Sequence, residues 1–126
     1  MTSSTTDAGY LMKRILTTFG GFQTGDDIAD AVAGYALALA RAHETDLVDV
    51  PYRSASGGVE RLELRIGWLV DIGVVQDGVP PEGTEGEEPS EPDTVRQLRE
   101  YTLAVEGLGF VPQKAARSWP KWEYDL

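Results

Sequence analysis

The chain has 126 residues, of which 41% are hydrophobic and 25% charged, so it fits one soluble domain with a real core and leaves little room for a second. It contains no cysteine, which excludes disulfide staples, Cys-ligated zinc, iron–sulfur clusters and thiol nucleophiles together. A formal net charge of −10 opposes direct binding to nucleic acid.

Residues 1–9 read as a disordered leader. The opening Met1-Thr-Ser-Ser-Thr-Thr-Asp7 has neither a basic nor an apolar region of the kind a secretory signal needs. No apolar run approaches the length of a membrane span. A cytoplasmic location and no membrane partner are the expectations, and the Ala, Gly, Val and Asp bias fits a GC-rich bacterial genome.

From Tyr10 to Phe19, the four-residue spacing of Leu11, Ile15 and Phe19, joined by Met12 and Leu16, predicts a short helix that Gly20 would stop. Thr17 and Thr18 leave a strand as the competing assignment. Gly20-Gly-Phe-Gln-Thr-Gly25 lies where a phosphate cradle would lie, ahead of a helix N-terminus. Its spacing matches no phosphate-binding motif, and Asp26 and Asp27 would repel an anion, so it is read as a turn between two helices.

Thr24 is the expected N-cap of the next helix, with Asp26 and Asp27 in its first turn. From Ile28 to His43 this helix is apolar almost all round, with alanine at 29, 31, 33, 36, 38, 40 and 42. Such a helix must be covered on more than one side, and a second subunit is one source of that cover. His43, the single histidine, reads as a capping or surface residue at the helix end.

Leu47 to Tyr52 predicts a strand, with Pro51 calling for an edge or a bulge. Ser54-Ala-Ser-Gly-Gly58 is turn chemistry that would join it to a second strand as a hairpin. From Leu62 to Val74 every even position is apolar (Leu62, Leu64, Ile66, Trp68, Val70, Ile72, Val74), which puts one stripe on one face of a sheet. At about 3.3 Å per residue a straight run would reach ~40 Å, longer than a domain of this size is wide. The run must therefore bend or divide, at Gly67 first and Gly73 second. The odd side carries Arg61, Glu63 and Arg65 before the bend, where a charge pair with Asp49 is expected. After the bend it carries Leu69 and Val75, a candidate subunit interface.

Residues 77–91 read as an acidic mobile loop, since Asp77 to Asp93 holds seven acids (Asp77, Glu82, Glu85, Glu87, Glu88, Glu91, Asp93) and no base. The remainder carries 14 acids against 11 bases, so most of the charge excess is local. Ser90 opens a capping box for a helix running to Glu106, with Val95, Leu98, Thr102 and Val105 on its face; Leu108 to Val111 is a candidate terminal strand. Residues 112–126 form a tail with Trp119, Trp122 and Tyr124, aromatics that call for a docking place on the chain itself, a sister subunit or another protein.

These readings assemble into a single α+β domain over 10–111, in the order α-α-β-β-β-α followed by the tail. An antiparallel sheet of three to four strands would have its helices on one face. No catalytic, cofactor-binding or metal-binding residue is identified. The expected function is a non-enzymatic protein–protein interaction module (adaptor, small regulator or chaperone-like binder), homodimeric, with another protein as a possible partner. Two alternatives stand beside it. One is a small hydrolase or ligand-binding domain using carboxylates such as Asp27, Asp30, Asp49 or Asp71; the other is an acidic nucleic-acid mimic, which needs an ordered row of carboxylates.

Overall fold

The computed structural model describes residues 12–78 and 89–112. The leader, most of the acidic loop and the tail with Trp119, Trp122 and Tyr124 lie outside the described residues. The elements are β1 (Met12–Thr17), β2 (Gly20–Gly25), α1 (Asp26–Arg41), β3 (Thr45–Arg53), β4 (Val59–Gly67), β5 (Gly73–Gly78) and α2 (Pro92–Leu108). The strands form one five-stranded sheet in the order β4-β3-β2-β1-β5, and every neighbouring pair is antiparallel. The α+β class stands, but the order is β-β-α-β-β-β-α in place of α-α-β-β-β-α, with five strands in place of three to four.

The error lies in the first helix. Tyr10 to Phe19 contributes strand β1, flanked on both sides by β2 and β5. Ile15, 1% exposed, points into the core, while Leu16 and Phe19 are 40% and 69% exposed, so their four-residue spacing marks no buried face. A helix that short is marginal alone, whereas β-branched Ile15 and Thr17 suit a strand hydrogen-bonded along both edges. The glycine-rich stretch read as a turn is β2. Gly21 lies opposite Leu16, and a Cβ there would come within 2.9 Å of Arg14 Cδ, so its bare backbone lets the Arg14 side chain lie across the sheet. Thr24 is not an N-cap but a buried strand residue; its hydroxyl donates to the Pro51 carbonyl at 2.8 Å. Gly25 is the N-cap, with no side-chain cap bond.

Pro51 was expected at an edge or bulge, yet β3 is an interior strand. The missing N–H is accommodated because the β2–β3 ladder is reduced to the pair Gln23↔Arg53; the Thr24 hydroxyl supplies an added tie there.

Cross-strand partners share a face, so Val48 with Leu64 and Asp46 with Ile66 point one way. That face meets α1, whose Ile28, Ala29, Val32, Tyr35 and Leu39 are almost fully buried. The second cover for this helix comes from α2 of the same chain. Leu98 and Val105 join the core cluster, and the Tyr35 and Tyr101 rings lie 5.8 Å apart. The one buried carboxylate among the described residues, Asp46, accepts the Tyr35 hydroxyl at 2.5 Å and the Leu47 amide at 2.8 Å, which offsets the cost of removing it from water.

α2 starts one residue later than the Ser90 cap implies. Glu91 is the N-cap, and its carboxylate accepts the Thr94 hydroxyl at 2.6 Å. It continues through Leu108 and ends at Gly109 with φ 81. The segment Leu108 to Val111, expected as a strand, instead finishes the helix and folds Val111 into the core.

Candidate interaction site

The bend in the alternating run falls at Gly67, where φ is +119 and a Cβ would sit 2.3 Å from the Glu44 carbonyl oxygen. Only glycine permits both the left-handed backbone and that approach. Ahead of the bend the even positions are inside, with Leu64 2% and Ile66 0% exposed. Beyond it Trp68, expected in the same buried stripe, is 40% exposed. Its ring stacks on His43 at 4.1 Å, and its amide donates to the Glu44 carbonyl at 2.8 Å. His43 therefore helps clamp the β4–β5 turn against the end of α1.

That turn presents Leu69. Its φ is 64, and it is 84% exposed, the most open of the large hydrophobic residues described. A left-handed backbone costs a non-glycine residue roughly 1–2 kcal/mol. An exposed leucine also forgoes about 1.5–3 kcal/mol that burial would return. Two costs on one side chain, held in place by a clamped turn, are the pattern expected of a residue kept for contact.

Beside Leu69 lies a groove of about 190 Å³ between the β1–β2 turn and the β4–β5 connection. Phe19, Val70 and Ile72 give it apolar walls, and Arg65 and Asp71 line it as one base and one acid. Neither charge has a hydrogen-bond or ion-pair partner among the described residues. Leu16, opposite Gly73, and Val75, opposite Arg14, add exposed apolar side chains on β1 and β5. They lie on the face away from the helices and are 40% and 44% exposed. Val75 is flanked there by Asp77, which accepts from Arg14 at 3.1 Å and from the Gln23 amide. Of the two residues nominated from the sequence, Leu69 lines the groove and Val75 stands exposed on β5, the strand that follows it. Leu16 and Phe19 were missed because they had been given to a helix; the adjoining threonines were the available signal.

A larger groove of about 400 Å³ lies between the N-terminal turns of the two helices, lined by Ile28, Val95 and Leu103 with Asp27, Arg96 and Arg99. Of its charged residues Glu91 and Arg96 are paired within the chain, whereas Asp27, Arg99 and Glu100 have no ion-pair partner among the described residues. Arg61 donates to Glu91 and, at 3.2 Å, to Asp49, the pair expected from the sequence. Arg96 meets Asp93 at 3.0 Å. The hydrogen bond from Arg61, helped by Thr94, holds the Glu91 carboxyl below its ordinary pKa, and the same bond raises that of Arg61. Across β1, Lys13 donates to Asp30 on α1 at 2.7 Å, which raises the lysine pKa.

The carboxylates considered for acid–base chemistry are dispersed. Asp30 pairs with Lys13 and Asp49 with Arg61; Asp27 lines the helix groove and Asp71 the sheet-corner groove. No group of three or more His, Asp or Glu side chains is placed to hold a metal among the described residues. No helix among them is long and apolar enough to cross a membrane. No family model matches the chain, and neither a curated protein nor a solved structure matches it significantly.

Proposed function

We propose that the chain is a non-enzymatic interaction module that docks another protein surface through the corner formed by Leu16, Phe19, Leu69 and Val75. The observation that carries this reading is Leu69, at φ 64 and 84% exposed, because strain and apolar exposure coincide on one clamped residue. The adjoining walls of Phe19, Val70 and Ile72 supply an apolar centre, and the Arg65 and Asp71 charges a polar rim, as docking surfaces have.

The test is site-specific photo-crosslinking in cells that express the full chain. A photoreactive phenylalanine analogue at position 75, at the margin of the patch, should give a protein adduct of defined mass. Leu69→Asp in the same chain should abolish it. Absence of any protein adduct, or an adduct indifferent to Leu69→Asp, would overturn the assignment.

A further inference from the structure

We infer that the partner seated on this corner is a second copy of the same chain, related by a two-fold axis; this rests on the reading above that the corner is a docking surface. The argument is self-complementarity. The corner carries a protruding knob, Leu69, on the rim of a groove whose other walls include Thr17, Thr18, Phe19, Val70 and Ile72. At about 190 Å³ the hole holds the equivalent of about six waters at ~30 Å³ each, ample for one leucine side chain.

A knob and a hole far apart on a surface would build an open chain of molecules. Side by side they close as a pair, each Leu69 entering the other copy's groove. The charges follow the same logic. Arg65 and Asp71 line the one groove and neither is paired among the described residues. A two-fold axis through the corner sets each Arg65 against the partner's Asp71, forming two equivalent ion pairs that fix orientation.

The edges of the sheet support the choice of this corner. Edge strand β4 carries Glu60, Arg61, Glu63 and Arg65, charges that discourage association of an edge. Edge strand β5 begins Gly73-Val74-Val75-Gln76 with no charge before Asp77. The apolar corner adjoins that unguarded strand, so a second copy meets Val75 as well as Leu69.

The experiment is sedimentation velocity on the purified full chain at about 100 μM, a range in which even weak homodimers associate. Wild type should sediment as a dimer. Arg65→Asp and Asp71→Arg should each sediment as monomers, because each places like charges opposite one another in both halves of the interface. An equimolar mixture of the two variants should return to dimer, since every mixed contact again joins an acid to a base. A variant that merely misfolds cannot be rescued by mixing. A monomeric wild type, single variants that dimerise normally, or a mixture that stays monomeric would each overturn the inference. If wild type is monomeric while the position 75 adduct contains a different protein, the two-fold pairing fails and the docking surface survives. If no adduct forms at all, both fail.

Discussion

The two halves of the alternating run obey one sequence rule and meet opposite fates. Leu62, Leu64 and Ile66 fill the inner face of β4, with the last two at 2% and 0% exposure, whereas Trp68 and Leu69 just past Gly67 stand at 40% and 84%. The pattern continues, but the backbone turns at φ +119 and carries Trp68 and Leu69 out of the core before Ile72 and Val74 return to pack against it. Hydrophobic period reports which side chains share a face; it does not report whether that face is covered. The first half is covered by α1. The second opens with a clamped turn that carries an apolar knob at its tip, and it is at that turn that the molecule carries uncompensated cost.

The contrast can be broken most severely at its hinge. Gly67→Ala should destabilise the fold by about 2–6 kcal/mol, adding ~1–3 for the left-handed backbone to ~1–3 for overpacking against a carbonyl that cannot move aside. Chemical denaturation would measure it, and a loss under 1 kcal/mol would mean that the turn relaxes freely. Next in size, Leu64→Ala or Ile66→Ala in the buried half should cost about 2–5 kcal/mol as cavity-forming changes. The Ile66→Ala variant should still dimerise while folded.

In the exposed half the sign is expected to change. Leu69→Gly relieves ~1–2 kcal/mol of strain against ~0.5–1 of added freedom in the unfolded chain, so the monomer should gain up to about 1.5 kcal/mol. The same substitution should abolish the position 75 adduct. A residue that stabilises the fold when removed and disables contact is the signature of a surface kept for binding; loss of stability with contact intact would refute the comparison.

The smallest effect belongs to the Arg61–Glu91 ion pair beside the helix groove. Glu91→Gln should cost about 0.2–1 kcal/mol, since Arg61 and Glu91 are both part exposed. The Glu91 pKa is lowered on folding from 4.5. Its contribution is therefore full above that value and is lost as pH falls through the depressed folded one. The melting temperatures of wild type and Glu91→Gln should differ most above pH 4.5, and the gap should narrow as pH falls further below it; a gap that does not narrow would show that Glu91 acts by something other than charge.

Much of the second half of the fold was legible because its signals were redundant. The β3–β4 hairpin had turn chemistry at Ser54 to Gly58 between two alternating runs, and α2 had Pro92 at its start with Leu98 and Val105 on one face. The division at Gly67 followed from length alone. The exposure of Leu69 and Val75 was legible as well, although Leu69 stands in a turn and not on the strand face expected for it. The β1–β2 hairpin was not. Ten residues with apolar groups at both three- and four-residue spacing satisfy a helix as readily as a strand, and Gly20 to Gly25 has the composition of a turn. What decides is the presence of β5 and β3 on either side, and those contacts are long-range.

By itself, the sequence determined the local objects: an all-round apolar helix at Asp26–Arg41, a bend at Gly67, and a leucine left outside just beyond that bend. Each follows from side-chain period or backbone sterics within a few residues. Only the tertiary structure decided that Met12–Thr17 is the strand between β2 and β5 and that α2 supplies the second cover of α1. It also decided that Phe19, Leu69 and Ile72 wall one groove. Hydrogen-bond partners and covered faces are supplied by distant segments, and a chain read one neighbourhood at a time cannot say which of its apolar residues will find them.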